Sequence, residues 1–177
     1  MQHRVLAATI NYDHPQRGML QALRGLFGAE NVYDFDYWQK RRVQSDADIR
    51  RELLEVVSNF QPTWLWLQLQ NTGVIDDLTI DRARELAPTA AVVHWMGDCR
   101  TEVSEYLGSI CAATDITYVA SAGHDETYLR SGAREVRYLQ HGLDWEEDVL
   151  GLPDWDPPFN VPDVVFCASY YTHFPAA

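Results

Sequence analysis

Side chains that can orient or deprotonate a hydroxyl group follow most of the apolar runs in this 177-residue sequence. Amide side chains both donate and accept hydrogen bonds, histidine and aspartate can take up a proton, and tryptophan can pack against a ligand ring. We take as candidate binding or catalytic residues Asn11, Asp13, His14, Gln70, Asn71, Trp95, Asp98, Arg100, His124 and His141.

The segment "VVHWMGDCRTEVSEYL", Val92–Leu107, shows this arrangement most clearly. It begins as a buried strand, and Gly97 lets the backbone turn before Asp98. We expect Asp98 at the amino end of a helix over Glu102–Ala113, where it would cap the helix and the dipole would favour its anionic form. Asp98 is therefore either a cap alone or a rigidly held carboxylate that binds or deprotonates a hydroxyl. His14 is the rival base.

Strand-like and helix-like patterns alternate along the chain, which predicts an α/β fold with a Rossmann-like, doubly wound parallel sheet of about six strands. Ligands of such sheets bind outside the carboxyl ends of the strands, so the candidate residues should gather at one edge. His94 lies inside a strand and is expected to be a core residue with its polar atoms satisfied. The predicted strands are Arg4–Tyr12, Asn31–Trp38, Thr63–Gln70, Ala90–Trp95, Ile116–Ser121 and Glu135–Gly142.

Several familiar site patterns are absent from the sequence. No GxGxxG follows the first strand, and neither GxxxxGK[ST], GxSxG nor HExxH occurs. The triplet "DFD" at Asp34–Asp36 resembles a metal-binding DxD, but "DAD" and "DWD" occur as well, so a chance match explains it. The three cysteines have no CxxC spacing, which indicates neither a zinc site nor a disulfide framework. We expect no metal and no cofactor.

The amino-acid composition restricts the classes of molecule that this protein is expected to bind. A net charge of −12 argues against nucleic acid and anionic membranes as partners. The sequence contains no run of roughly 20 apolar residues that would span a membrane and no signal-peptide pattern. With the odd cysteine count, these features predict a cytoplasmic protein.

Proline placement divides the chain into three predicted segments. Residues 1–145 form the α/β domain, and 146–162 form a proline-rich linker. Residues 163–177 begin with another buried-strand pattern and are predicted to open a second domain, the rest of which would lie beyond Ala177.

Four segments in this order carry a resemblance to a known family. They are "NYDHPQRGMLQAL", "HWMGDCR", "YVASAGHDETYLRSGAREVRYLQHGLD" and, after the linker, "DVVFCASYYTHFP". The chain resembles the amino-terminal half of GT-B glycosyltransferases, particularly the spore-maturation CgeB-like group, over nearly its whole length.

The resemblance implies two Rossmann-like domains that face a cleft, with the hydroxyl acceptor in the first and the nucleotide-sugar donor mainly in the second. It implies a sugar transfer without a bound metal, and this chain alone is expected to be inactive. We expect Asp98 or His14 to act as the base and Trp95 to pack against the acceptor. Arg100 would pair with Asp98 or face the donor phosphates, and the other candidates would bind the acceptor.

Two other interpretations remain open. The chain is alternatively a non-catalytic α/β domain that binds carbohydrate or regulates a partner. A flavodoxin-like or response-regulator-like domain agrees less well with the sequence, because the first strand is followed by no phosphate loop and no paired acidic pocket.

Overall fold

The structure of this chain is a computed structural model that describes residues 3–11, 17–98 and 102–140. These residues all belong to one unit of the chain, Met1–Gly142. The predicted domain boundary at 145, the linker and the second domain lie outside the described residues and stay predictions.

Six parallel strands form one sheet with the order β2-β1-β3-β4-β5-β6. This confirms the predicted α/β class and the Rossmann-like, doubly wound parallel sheet. The strands are short and rich in apolar or β-branched residues, as expected for a parallel sheet that is covered on both faces. They are β1 (Val5–Thr9), β2 (Val32–Asp36), β3 (Trp64–Leu67), β4 (Ala91–Met96), β5 (Ile116–Val119) and β6 (Val136–Tyr138).

Helices connect consecutive strands in the described part of the chain. One short helix after β2 and a 3-10 turn at Ala29–Asn31 were not predicted from the sequence. The helices are α1 (Arg17–Phe27), α2 (Tyr37–Lys40), α3 (Asp46–Phe60), α4 (Asp77–Leu86), α5 (Glu105–Ala113) and α6 (Asp125–Arg130). No helix within the described ranges is both long and apolar enough to cross a membrane.

The helices lie on both faces of the sheet. On one face, alternate residues of β1 and β3 (Leu6, Ala8, Leu65 and Leu67) join buried side chains of α3, α4 and α5 in the main core. On the other face, Phe27 at the end of α1 packs against Trp64, with the two ring centroids 6.2 Å apart. The helices therefore cover the two faces of the sheet, and the carboxyl ends of the strands form the edge at which ligands of such sheets bind.

Asp115 joins three elements at the opposite, amino-terminal edge of the sheet. Its Oδ1 lies 2.7 Å from Arg84 Nη2, and its Oδ2 accepts a 2.8 Å hydrogen bond from the backbone N–H of Val92. Arg84 Nε also donates to Ala113 O at 3.0 Å. Asp115 therefore fixes the end of α4 and the start of β5 against β4.

His94 is a core residue, as predicted, but not all of its polar atoms are satisfied. The side chain on β4 is fully buried, with Nδ1 3.9 Å from Cys111 Sγ on α5. Its Nε2 has no hydrogen-bond partner among the residues the structure describes. Burial lowers the pKa of His94 to about 4, so the imidazole is neutral in the folded protein.

Candidate functional site

The sheet has a topological switch point between β1 and β3. From β1 the chain first passes outward to β2 and then crosses back over β1 to β3. Ligands of open parallel sheets bind in the crevice at such a point, outside the carboxyl ends of the strands. Asn11 follows β1, and Gln68–Asn71 follow β3. The structure therefore places three of the predicted residues, Asn11, Gln70 and Asn71, beside this crevice.

Asn11 is held in place by a network that reaches β2 and α2. Its buried side chain donates from Nδ2 to Asp36 Oδ2 at 2.7 Å. Asp36 Oδ1 accepts from the backbone N–H of Gln39 at 3.0 Å and so caps α2. Gln39 Nε2 then donates to Asn11 O at 2.8 Å. Both the amide and the carbonyl of Asn11 are thereby oriented before any ligand binds.

The two carboxylates of the "DFD" triplet share this edge. Because alternate strand residues share a face, Asp34 and Asp36 lie on the same side of β2. Thr9 Oγ1 donates to Asp34 Oδ1 at 2.7 Å. Burial, with the neighbouring charge of Asp36, raises the pKa of Asp34 despite that hydrogen bond. Sequence reasoning missed the positioning role of Asp36 because it treated the triplet as a chance match.

No metal centre forms from these side chains. Within the described ranges, no three His, Cys, Asp or Glu side chains are grouped so that they could hold a metal ion. Asp36 uses both carboxylate oxygens to orient protein groups. Its role in the described site is therefore structural support for Asn11.

The loop after β3 is fixed at its start by Tyr37. The hydroxyl of this fully buried residue lies 2.9 Å from both Gln68 O and Leu69 O, and its single hydrogen is shared between them. Gln68 Oε1 accepts a 3.4 Å hydrogen bond from the backbone N–H of Ile10. Gln68 therefore joins the ends of β1 and β3 directly across the switch point.

Two further elements fix the later part of this loop. Arg50 on α3 donates to Val74 O at 2.7 Å and Gly73 O at 3.2 Å, and pairs with Asp76 at 2.9 Å. Tyr106 on α5 donates to Ile75 O at 2.7 Å. Burial raises the pKa of Tyr106 to about 12, so its hydroxyl stays protonated as a donor. The loop is therefore held by α2, α3 and α5.

Gln70 lies within this rigid loop and has both an unusual backbone conformation and an unsatisfied side-chain oxygen. Its φ of 49° is in the left-handed region, which is uncommon for residues other than glycine, asparagine and aspartate. Gln70 as a whole is 9% exposed, and its Oε1 is buried without a hydrogen-bond partner in the described part of the chain. The loop thus holds an amide oxygen that no described group satisfies.

Asn71 and Ser104 link the loop to the beginning of α5. Ser104 Oγ donates to Asn71 Oδ1 at 2.9 Å and accepts from the Leu107 N–H at 3.3 Å. The prediction that the helix begins at Glu102, with Asp98 at its amino end, is therefore wrong. The helix begins at Glu105 because the Ser104 hydroxyl accepts the free N–H of Leu107, and exposed Asp98 lies six residues before Ser104. The helix-dipole argument for Asp98 does not apply.

Trp95 and His124 lie further along the same edge. Trp95 is half-buried and next to last in β4, not last as predicted, and it lies opposite Tyr118 of β5. His124 lies at the N-cap position of α6, where its side chain makes no capping hydrogen bond. Because neighbouring strands lie ~4.8 Å apart, β5, which precedes His124, is about 10 Å from β3 across the sheet. The remaining candidates, Asp13, His14, Arg100 and His141, lie outside the described residues.

Amides and one exposed carboxylate dominate the described edge beside the crevice. Lysine and arginine are absent from the described segments that follow β1, β3, β4, β5 and β6 (Asn11, 68–71, 97–98, 120–124 and 139–140), but Lys40, Arg41 and Arg42 follow β2. Lys40 pairs with Glu52 at 2.7 Å and Arg41 with Asp46 at 3.1 Å. The amides suit a neutral ligand with several hydroxyls, whereas a phosphate needs available cations or free backbone N–H groups.

Comparison with known proteins adds no family to this description. No protein-family model matches the chain, and no curated protein is significantly similar to it.

Proposed function

We propose that this chain is the acceptor-side domain of a glycosyltransferase and binds a hydroxyl-bearing acceptor at the crevice between β1 and β3. The observation that carries the proposal is the pre-oriented amide pair at the switch point. Asn11 is fixed by Asp36, and Gln70 is fixed within a loop that three helices hold. Pre-oriented donors and acceptors reduce the entropy lost when a polyol binds.

The reaction we propose transfers a sugar from a nucleotide-sugar donor to an acceptor hydroxyl. A base takes the hydroxyl proton, the oxygen bonds to the anomeric carbon, and the bond from that carbon to the diphosphate breaks. Asp98 is our first choice as base because it is exposed at the end of β4. His14 is the second, and Arg100 would pair with Asp98 or face the diphosphate.

The nucleotide-sugar donor is proposed to bind mainly to a second domain. The ion pairs of two cations that follow β2 support this division: Lys40 is paired with Glu52 and Arg41 with Asp46, so a diphosphate in this crevice would meet mainly carboxylates and amides. Trp95 would pack its ring against the acceptor from the β4 side.

Asp98→Asn in the full-length protein tests the proposal. Because Ser104, not Asp98, caps α5, this change should leave the melting temperature unchanged while sugar transfer falls at least ~100-fold, as expected for loss of a general base. Asp81→Asn, on an exposed position of α4, is the matched control and should change neither. An unchanged transfer rate in Asp98→Asn would move the base to His14.

A non-catalytic carbohydrate-binding domain is the second candidate. It is favoured by the observation that the most rigidly held groups at the switch point are amides, which bind ligands but do not transfer protons. Binding that survives both Asp98→Asn and His14→Gln, with no transfer by the wild-type full-length protein, would favour this candidate.

A further inference from the structure

We propose that Gln70 is the specificity residue of the crevice, and that its Oε1 accepts a hydrogen bond from an uncharged hydroxyl of the ligand. The inference rests on the proposed function, because it concerns the same crevice and names the class of ligand that enters it. The ligand class is a neutral polyol, in preference to a phosphorylated or cationic analogue.

Gln70 carries two unfavourable features that a structural role does not explain. Its backbone has a φ of 49°, where glycine or asparagine would be less strained. Its Oε1 is withdrawn from solvent without a partner among the described residues, although buried acceptors are nearly always hydrogen-bonded. A ligand hydroxyl that donates a hydrogen bond to Oε1 would satisfy this buried acceptor.

The loop prevents Gln70 from relieving this state by itself. The carbonyls of the two preceding residues contact the Tyr37 hydroxyl at 2.9 Å. The side chain of the next residue, Asn71, is held by Ser104 at 2.9 Å. Because the residues on both sides of Gln70 are held in place, its side-chain amide keeps its orientation until a ligand donates a hydrogen bond to it.

The charges around the crevice determine which chemical group of a ligand can donate a hydrogen bond to Gln70. Asp34 and Asp36 stand on the adjacent strand, and two of the cations that follow this strand are already in ion pairs, Lys40 with Glu52 and Arg41 with Asp46. An anionic group would face an acceptor oxygen and carboxylates, and it would have to compete with these ion pairs for a cation, so a phosphate is disfavoured. A hydroxyl donates without bringing charge, and further hydroxyls of a polyol can reach Asn11.

The experiment compares two glutamines that share an unusual backbone conformation. Gln70→Met removes the amide and keeps an unbranched side chain of similar length at φ 49°. Gln61→Met makes the same change at φ 48° after α3, where Nε2 donates to Ser58 O and Leu86 O at the other edge of the sheet. The full 177-residue chain, labelled with ¹⁵N, is titrated with methyl glycosides of the common hexoses.

The two variants should give opposite patterns. Gln70→Met should weaken glycoside binding about tenfold, while its stability stays equal or rises because an unsatisfied buried acceptor is gone. Gln61→Met should lower stability and leave binding unchanged. Gln70→Gly, which relieves the backbone strain, should be folded and binding-deficient even where the methionine variant does not fold.

Four results would overturn the proposal. They are no binding of any methyl glycoside by the wild-type chain, equal binding of glucose 6-phosphate, tighter binding of glucosamine, and unchanged binding in the Gln70 variants. Failure of the proposed function looks different: glycosides bind and depend on Gln70, but the full-length protein transfers no sugar.

Discussion

Ser104 donates a hydrogen bond of 2.9 Å to Asn71, although 33 residues separate them in the sequence. The same hydroxyl accepts from the Leu107 N–H and begins α5. One side chain therefore sets both the start of a helix and the position of the loop after β3, next to Gln70.

Ser104→Ala should lower the free energy of unfolding by about 1 kcal/mol, the usual effect of losing a serine cap. It should also weaken binding of a neutral glycoside, because Asn71 loses its anchor. Chemical denaturation and NMR titration measure the two effects. Ser45→Ala is the control, since Ser45 caps α3 through the Asp48 N–H without contacting the loop. An equal loss of binding in Ser45→Ala would contradict the link between Ser104 and the site.

Tyr37→Phe should be more destabilising than a typical single hydrogen-bond deletion. The carbonyls of Gln68 and Leu69 both lose their contact with a buried hydroxyl, which predicts a loss of about 1–3 kcal/mol. Glycoside affinity should fall with it because the loop that carries Gln70 loosens. Tyr33→Phe on β2, 38% exposed, should be nearly neutral in both measurements. A Tyr37 variant with wild-type affinity would show that the loop does not need this anchor.

Stability should fall in weak acid because of His94. Its pKa is about 4 in the folded protein and 6.5 when unfolded, so the unfolded chain binds more protons between these values. The contribution of His94 is thus fully present above pH ~6.5 and is lost as the pH falls towards 4. The loss reaches about 2 kcal/mol at pH ~5.

Unfolding free energies at pH ~7 and ~5 measure this effect. In His94→Met the difference between the two values should be smaller by about 2 kcal/mol, because no buried imidazole remains to be protonated. His3→Gln, at an exposed position, should keep the wild-type difference. If His94→Met retains the full acid sensitivity, another group is responsible.

The 177-residue chain should bind UDP-sugars and GDP-sugars weakly or not at all. The reason is that Lys40 and Arg41, which follow β2 at this edge, are already paired with Glu52 and Asp46, together with the proposed location of the donor site in a second domain. Isothermal calorimetry checks this, with a neutral methyl glycoside titrated in parallel. Micromolar affinity for a sugar nucleotide would place the donor site within this chain.

Most of the fold was predictable because its signals are local. Apolar runs bounded by polar turns marked all six strands. The start of α5 was misplaced because aspartate and serine are both good caps, and local sequence does not say which of Asp98 and Ser104 the chain uses.

The site was only partly predictable. Asn11, Gln70 and Asn71 were found because parallel strands end at one edge. The role of Asp36 depends on β2 lying beside β1, and that of Ser104 on a contact between distant segments. The unsatisfied oxygen of Gln70 has no signature in the sequence, because burial of one side-chain atom is a property of the packed structure.

Asp115 stabilises the amino-terminal edge of the sheet, whereas we propose that the ligand binds at the carboxyl edge. From Val92 to Asp98 a strand rises about 20 Å, so the two regions share no side-chain contacts. Side chains at the carboxyl edge that do not anchor the loops, such as Gln70, can therefore be replaced while Asp115 and Arg84 keep β4 and β5 in register. The domain is a suitable scaffold for redesign by point substitution, in which a new ligand preference is introduced without rebuilding the fold.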